Sequence, residues 1–104
     1  MKRIGFKMKL RLGQAKEYKR RHDLIWPELV ELLKQTGIQE YSIFLDIETN
    51  FLFATMKIED PEWLDKLPQH PVMIKWWDHM KDIMDTHPDH SPISTPLEEV
   101  FYLS

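Results

Sequence analysis

The chain has 104 residues, no cysteine, a net charge of −3, and 30% charged against 42% hydrophobic residues. That balance is ordinary for a globular protein; it excludes a disulfide framework, a thiol nucleophile and the basic footprint of a nucleic-acid binder. No run approaches the about 18 apolar residues of a membrane span, and the N-terminus lacks the continuous apolar stretch of a signal peptide, so one cytoplasmic domain over residues 1–104 is expected.

Residues 3–10 alternate, with Ile4, Phe6, Met8 and Leu10 on one side and Lys7 and Lys9 on the other. Period two predicts a strand. From Gln14 to Gln35 the spacing changes, and Ala15, Tyr18, His22, Ile25, Leu29 and Leu32 or Leu33 recur as on one face of a helix. Gly37 suits the left-handed position that stops it. Pro27 lies inside this stretch, where it removes an N–H and clashes one turn back. A break near His22–Asp23, with Pro27 opening a second helix, resolves the conflict.

Residues 39–47 and 51–58 read as a hairpin across the short polar link Glu48-Thr49-Asn50. Asp60-Pro61 caps a short helix over 62–67. Pro71 opens a longer one to about Asp85, with Met73, Trp77, Met80 and Met84 as its apolar stripe and Trp76 on the flank. Residues 86–96, with three prolines, form a loop, and 97–103 a final strand. The order β-α-β-β-α-β is the ferredoxin-like α+β plan. Both hairpin strands are apolar on both faces, and helices cover only one face of so small a sheet. A second copy packed sheet to sheet, giving a homodimer, is expected on the other.

Chemistry is sparse. Tyr18 and His22 are four apart and share the inward helix face. His22 is either a core histidine with one satisfied hydrogen bond or a proton carrier near neutrality. At a helix end its charged form is favoured, while burial disfavours it, so the direction of its pKa shift stays open. Tyr41 reaches the same pocket if its strand face is the helix-covered one. Trp76 is placed to wall that pocket; indoles stack on apolar sugar faces and donate N–H bonds. His87 and His90 have a metal-like spacing without supporting ligands, and no metal is expected. The basic cluster Lys16, Lys19, Arg20, Arg21 reads as a solvated helix face.

The run Tyr18-Lys19-Arg20-Arg21-His22, followed by Ile25-Trp26-Pro27-Glu28-Leu29, resembles the first-helix signature of the L-rhamnose mutarotases. Tyr41, Trp76-Trp77, Ser91-Pro92 and Glu99-Val100-Phe101-Tyr102-Leu103 extend the resemblance along the whole chain. It implies a dimeric α/β-barrel of ferredoxin-like subunits that interconverts the anomers of L-rhamnopyranose without a cofactor, in support of rhamnose catabolism. By matched position it implies His22 as proton donor and Tyr18, Tyr41, Trp76 and Trp77 as sugar-binding residues. Asp23-Leu24 departs from the expected Asn-Pro and leaves Pro27 alone to break the helix. A monooxygenase-like or haem-handling barrel, or a non-catalytic binding module, are the alternatives on the same fold.

Overall fold

The computed structural model describes residues 1–104. Strand β1 (Lys2–Lys9) leads into helix α1 (Ala15–Asp23), and helix α2 (Pro27–Gln35) follows after the break that Pro27 predicts. Leu24 caps α1 by donating to the Arg20 carbonyl, and Pro27 takes the first position of α2, where its missing N–H costs nothing. Gly37 adopts φ +88°, the left-handed turn that ends this helical stretch.

Strands β2 (Ile38–Leu45) and β3 (Phe51–Ile58) form the expected hairpin. A 3₁₀ helix (Pro61–Gln69) replaces the short α-helix and runs through Pro68, its first N–H bonded to the Asp60 carboxylate. His70 then accepts from the Val72 N–H to cap helix α3 (Pro71–Met80). Strand β4 (Thr95–Leu97) closes the sheet. Its order is β2-β3-β1-β4, and all neighbours are antiparallel. This is the ferredoxin-like arrangement.

Two expectations need correction. Helix α3 ends at Met80, not near Asp85, because the chain turns so that Met84 bridges back to Leu10 beside the sheet. The last strand occupies Thr95–Leu97, not 97–103. Pro96 is tolerated because β4 is an edge strand. Beyond it the tail is held by a Glu99–Arg3 ion pair and by the Arg3 guanidinium over the Tyr102 ring.

The register sorts the strand residues cleanly. Phe6 opposes Ala54 and Ile43 opposes Ala54 from the other side, while Met8 and Leu45 flank Leu52. These residues face the helices and form the core with Leu10, Leu29, Met73 and Met80. Lys7, Phe44, Phe51 and Phe53 point the other way. Strand β2 carries a bulge between Gln39 and Ser42, where Glu40 takes a left-handed φ of 49°. Glu40 and Tyr41 together oppose the single residue Met56.

Candidate active site

The helices and the inner sheet face enclose an open trough of about 1850 Å³. That exceeds the roughly 300–1,000 Å³ of a small-molecule site, so the part that carries functional groups decides where a ligand sits. Its lining includes Tyr18 and His22 of α1, Tyr41 of β2, Trp76 and Trp77 of α3, and Ser91 of the 86–96 loop. All five site residues expected from the sequence therefore line one cavity. A separate hollow of about 270 Å³ beside Trp63 also carries a histidine, His70, but its Nδ1 is occupied in capping α3 and no phenol lines that hollow.

Helical spacing stacks Tyr18 against His22, with ring centroids 4.3 Å apart. His22 Nδ1 lies 3.0 Å from the Tyr18 carbonyl oxygen. A carbonyl only accepts, so Nδ1 carries the proton and donates it. Nε2 is then the nitrogen free to exchange protons. The edge of Trp76 abuts the imidazole at 5.4 Å and fixes its second side. Burial lowers the His22 pKa from its ordinary 6.5, opposed by the Tyr18 carbonyl and the Asp23 charge. The contest left open between helix end and burial thus goes to burial.

Tyr18 is 8% exposed, and burial, with Tyr41 nearby, pushes its phenol well above its usual range. Tyr41 packs edge-on against Phe6. The trough is open above its ring, which leaves 38% of the residue exposed, yet the protein packed around it raises its pKa to about 12. Both phenols keep their protons near neutrality.

The two tryptophans exchange the places expected of them. Trp76, not Trp77, continues the buried stripe with Met73 and Met80, and Trp77 is half-buried on the flank. The sequence stripe included Met84, which lies outside the helix. Without it, the spacing Met73–Trp76–Met80 describes the apolar face. Trp76 packs edge-on to Trp26 and reaches His79.

Sequence reasoning passed over Arg21 by grouping it with the solvated basic residues. Its side chain is only 11% exposed. It pairs with Glu17 at 2.7 Å, with Asp82 at 2.8 Å and with the His79 carbonyl at 2.6 Å. This fork ties α1 to the end of α3, the two helices whose His22 and Trp76 meet in the pocket. The Glu17 spacing, four residues before Arg21, was the available signal. Ser91 and His87 also line the trough; Ser91 entered the sequence reading only through the resemblance, and His87 only through its spacing from His90. His90 turns to Asp78, 3.2 Å away.

The fold and this pocket define a ferredoxin-like protein with a histidine, two phenols and indoles around one cavity. The family model for L-rhamnose mutarotase matches residues 3–103. The L-rhamnose mutarotase of Formosa agariphila is 54% identical over 103 residues, covering 99% of each chain. The crystal structure of an L-rhamnose mutarotase from the same organism superposes with a TM-score of 0.93 at 53% identity, covering 100% of both chains. A putative antibiotic biosynthesis monooxygenase from Deinococcus radiodurans shares the fold, with a TM-score of 0.56 at 13% identity over 98% of this chain and 95% of its own. The chain belongs to the L-rhamnose mutarotase family.

Proposed function

We infer that the chain is an isomerase that interconverts the α and β anomers of L-rhamnopyranose, with His22 as its proton-transfer group. The supporting observation is the free Nε2 of His22 in the pocket, beside Tyr18 and Trp76. Anomer exchange requires only that the anomeric hydroxyl lose a proton while the ring oxygen gains one. The ring opens to the aldehyde, the C1–C2 bond rotates and closure delivers the other anomer. Proton transfers suffice, so the reaction runs without a cofactor or metal.

Tyr18 and Tyr41 orient sugar hydroxyls. Trp77, half-buried, offers its indole to the apolar face of the sugar or its C6 methyl, and Trp76 supports His22 from behind. The test is NMR saturation exchange between the anomeric protons of L-rhamnose, run beside other sugars. Acceleration for L-rhamnose is expected; none above the buffer rate sinks the reading.

The protein acts in the cytoplasm in rhamnose catabolism and as a homodimer joined through the outer sheet face. The lack of cysteine suits a reducing compartment, and no helix is long and apolar enough to cross a membrane. The outer face presents Phe44, 65% exposed, beside Phe51 and Phe53, and the tail leaves Phe101 78% exposed. Covering such surface is the usual role of an isologous contact. Sedimentation at micromolar concentration is expected to give the dimer mass; a monomer refutes the assembly.

A further inference from the structure

The direction of proton flow is not set by saying that His22 transfers a proton. An imidazolium starts the reaction as an acid and a neutral imidazole starts it as a base. The structure bears on the choice. The Nδ1–H bond to the Tyr18 carbonyl, 3.0 Å, reserves Nδ1 as a donor in both charge states. Everything therefore depends on Nε2, which has no hydrogen-bond partner in the chain. No carboxylate is bonded to either ring nitrogen to hold the imidazolium at neutral pH.

The charged and titratable neighbours do not reverse this. On α1, Asp23 favours the cation, but its carboxylate is already paired with Lys19 at 3.0 Å. On α3, His79 touches the Trp76 ring, as His22 does, and is not itself paired with His22. Tyr41 from β2 and His87 from the 86–96 loop share the trough, and neither is an anion. Of the carboxylates that also line it, Glu40 is paired with Lys57 at 2.8 Å, and Asp65 of the 3₁₀ helix is outnumbered by Lys16, Lys19 and Lys34.

The second group follows from the geometry of the sugar. The anomeric oxygen and the ring oxygen are bonded to the same carbon, so the base serving one and the acid serving the other must be neighbours. Tyr18 lies against the His22 ring at 4.3 Å, whereas Tyr41 stands on the sheet wall. The Tyr18 hydroxyl makes no hydrogen bond within the chain. Since no fully buried side-chain polar atom is left without a partner, it reaches the open trough.

We propose that resting His22 is the neutral imidazole protonated on Nδ1, that its Nε2 is the base for the anomeric hydroxyl, and that the Tyr18 hydroxyl is the acid for the ring oxygen. The assignment rests on the mutarotase reading and specifies the roles within it. In the forward step Nε2 takes the O1–H proton, and the O–H electron pair becomes the second C1–O1 bond. The C1–O5 bond breaks, and its electron pair takes the phenol proton. Imidazolium and phenolate stand side by side, each stabilising the other. After rotation the phenolate recovers the O5 proton, O5 attacks the other face of C1, and the imidazolium returns its proton to O1. His22 is a donor, as the family resemblance implies, only in this second half. Burial keeps the Tyr18 phenol protonated throughout the working range and makes it a weak acid, so its proton moves only as the C1–O5 bond breaks.

The experiment is the pH profile of anomer exchange from about pH 5 to about pH 9, where the free enzyme's acid and base report on kcat/KM. Activity is expected to rise through a pKa below the ordinary histidine value and then stay level. Nitrogen-15 NMR of His22 is expected to show the proton on Nδ1 in the neutral ring. Tyr18→Phe is expected to lower kcat about 100-fold with a much smaller change in KM. Exchange that falls as pH rises through the His22 pKa, a neutral ring protonated on Nε2, or an unchanged kcat in Tyr18→Phe each overturns the assignment while leaving the mutarotase reading intact. No acceleration at any pH removes that reading instead.

Discussion

His22→Asn is expected to lower anomer exchange by about 10²–10⁴-fold, the usual contribution of one placed acid or base. The asparagine amide nitrogen stands where Nδ1 does and keeps a donor for the Tyr18 carbonyl, so the local bond worth about 0.5–1.5 kcal/mol is largely retained. What asparagine lacks is a nitrogen that exchanges protons near neutrality. The loss therefore falls on kcat, with KM changed far less, because Tyr18, Tyr41 and Trp77 still line the cavity. Saturation exchange on folded variant, checked by circular dichroism, reads the effect. Retention of the wild-type rate removes His22 from the chemistry.

Trp76→Ala is expected to cost about 3–5 kcal/mol of stability, the range for truncating a large buried aromatic. Trp76 is 6% exposed and packs among Met73, Met80 and Trp26, whose ring centre is 5.1 Å away. A domain of this kind holds about 5–15 kcal/mol in all, so the variant is driven toward unfolding. Exchange also suffers, because the imidazole loses the ring that backs it at 5.4 Å. Trp77→Ala is the contrasting case. Half-buried at the cavity wall, that residue is expected to show a smaller stability loss and a larger rise in KM. Urea midpoints for the two variants test the assignment; equal midpoints contradict it.

Much of this was legible in period and punctuation. Alternation in β1, the Pro27 break and the Asp60 cap are local signals, and each appears where local physics places it. The pairing of Tyr18 with His22 is local too, because positions four apart meet on any helix. Tyr41 required tertiary information, since alternation shows that it shares a face with Ile43 but not which face the helices cover. The Trp76–Trp77 reversal came from a long-range cause. Met84 belongs to a bridge with Leu10, just past the far end of β1, and no helical wheel contains that fact. Arg21 was illegible for a similar reason: Asp82 and the His79 carbonyl lie on another element. The naming of the substrate came from the resemblance, not from spacing.

The bulge in β2 has a consequence for how the chain tolerates change. Ile38 and Ile43 are an odd number of positions apart, yet both look toward the helices because Glu40 and Tyr41 share one opposing residue. The strand thus holds two phases of alternation joined at Glu40. A regular strand of the same length would force a choice: either Ile38 would leave the core or Tyr41, Ile43 and Leu45 would turn to the outer face, carrying the phenol out of the pocket. Loss of Glu40 alone escapes that choice, because it sets Ile38 and Ile43 four positions apart in one even alternation and leaves Tyr41 alone opposite Met56. Tolerance of a one-residue deletion within this strand should therefore peak at Glu40.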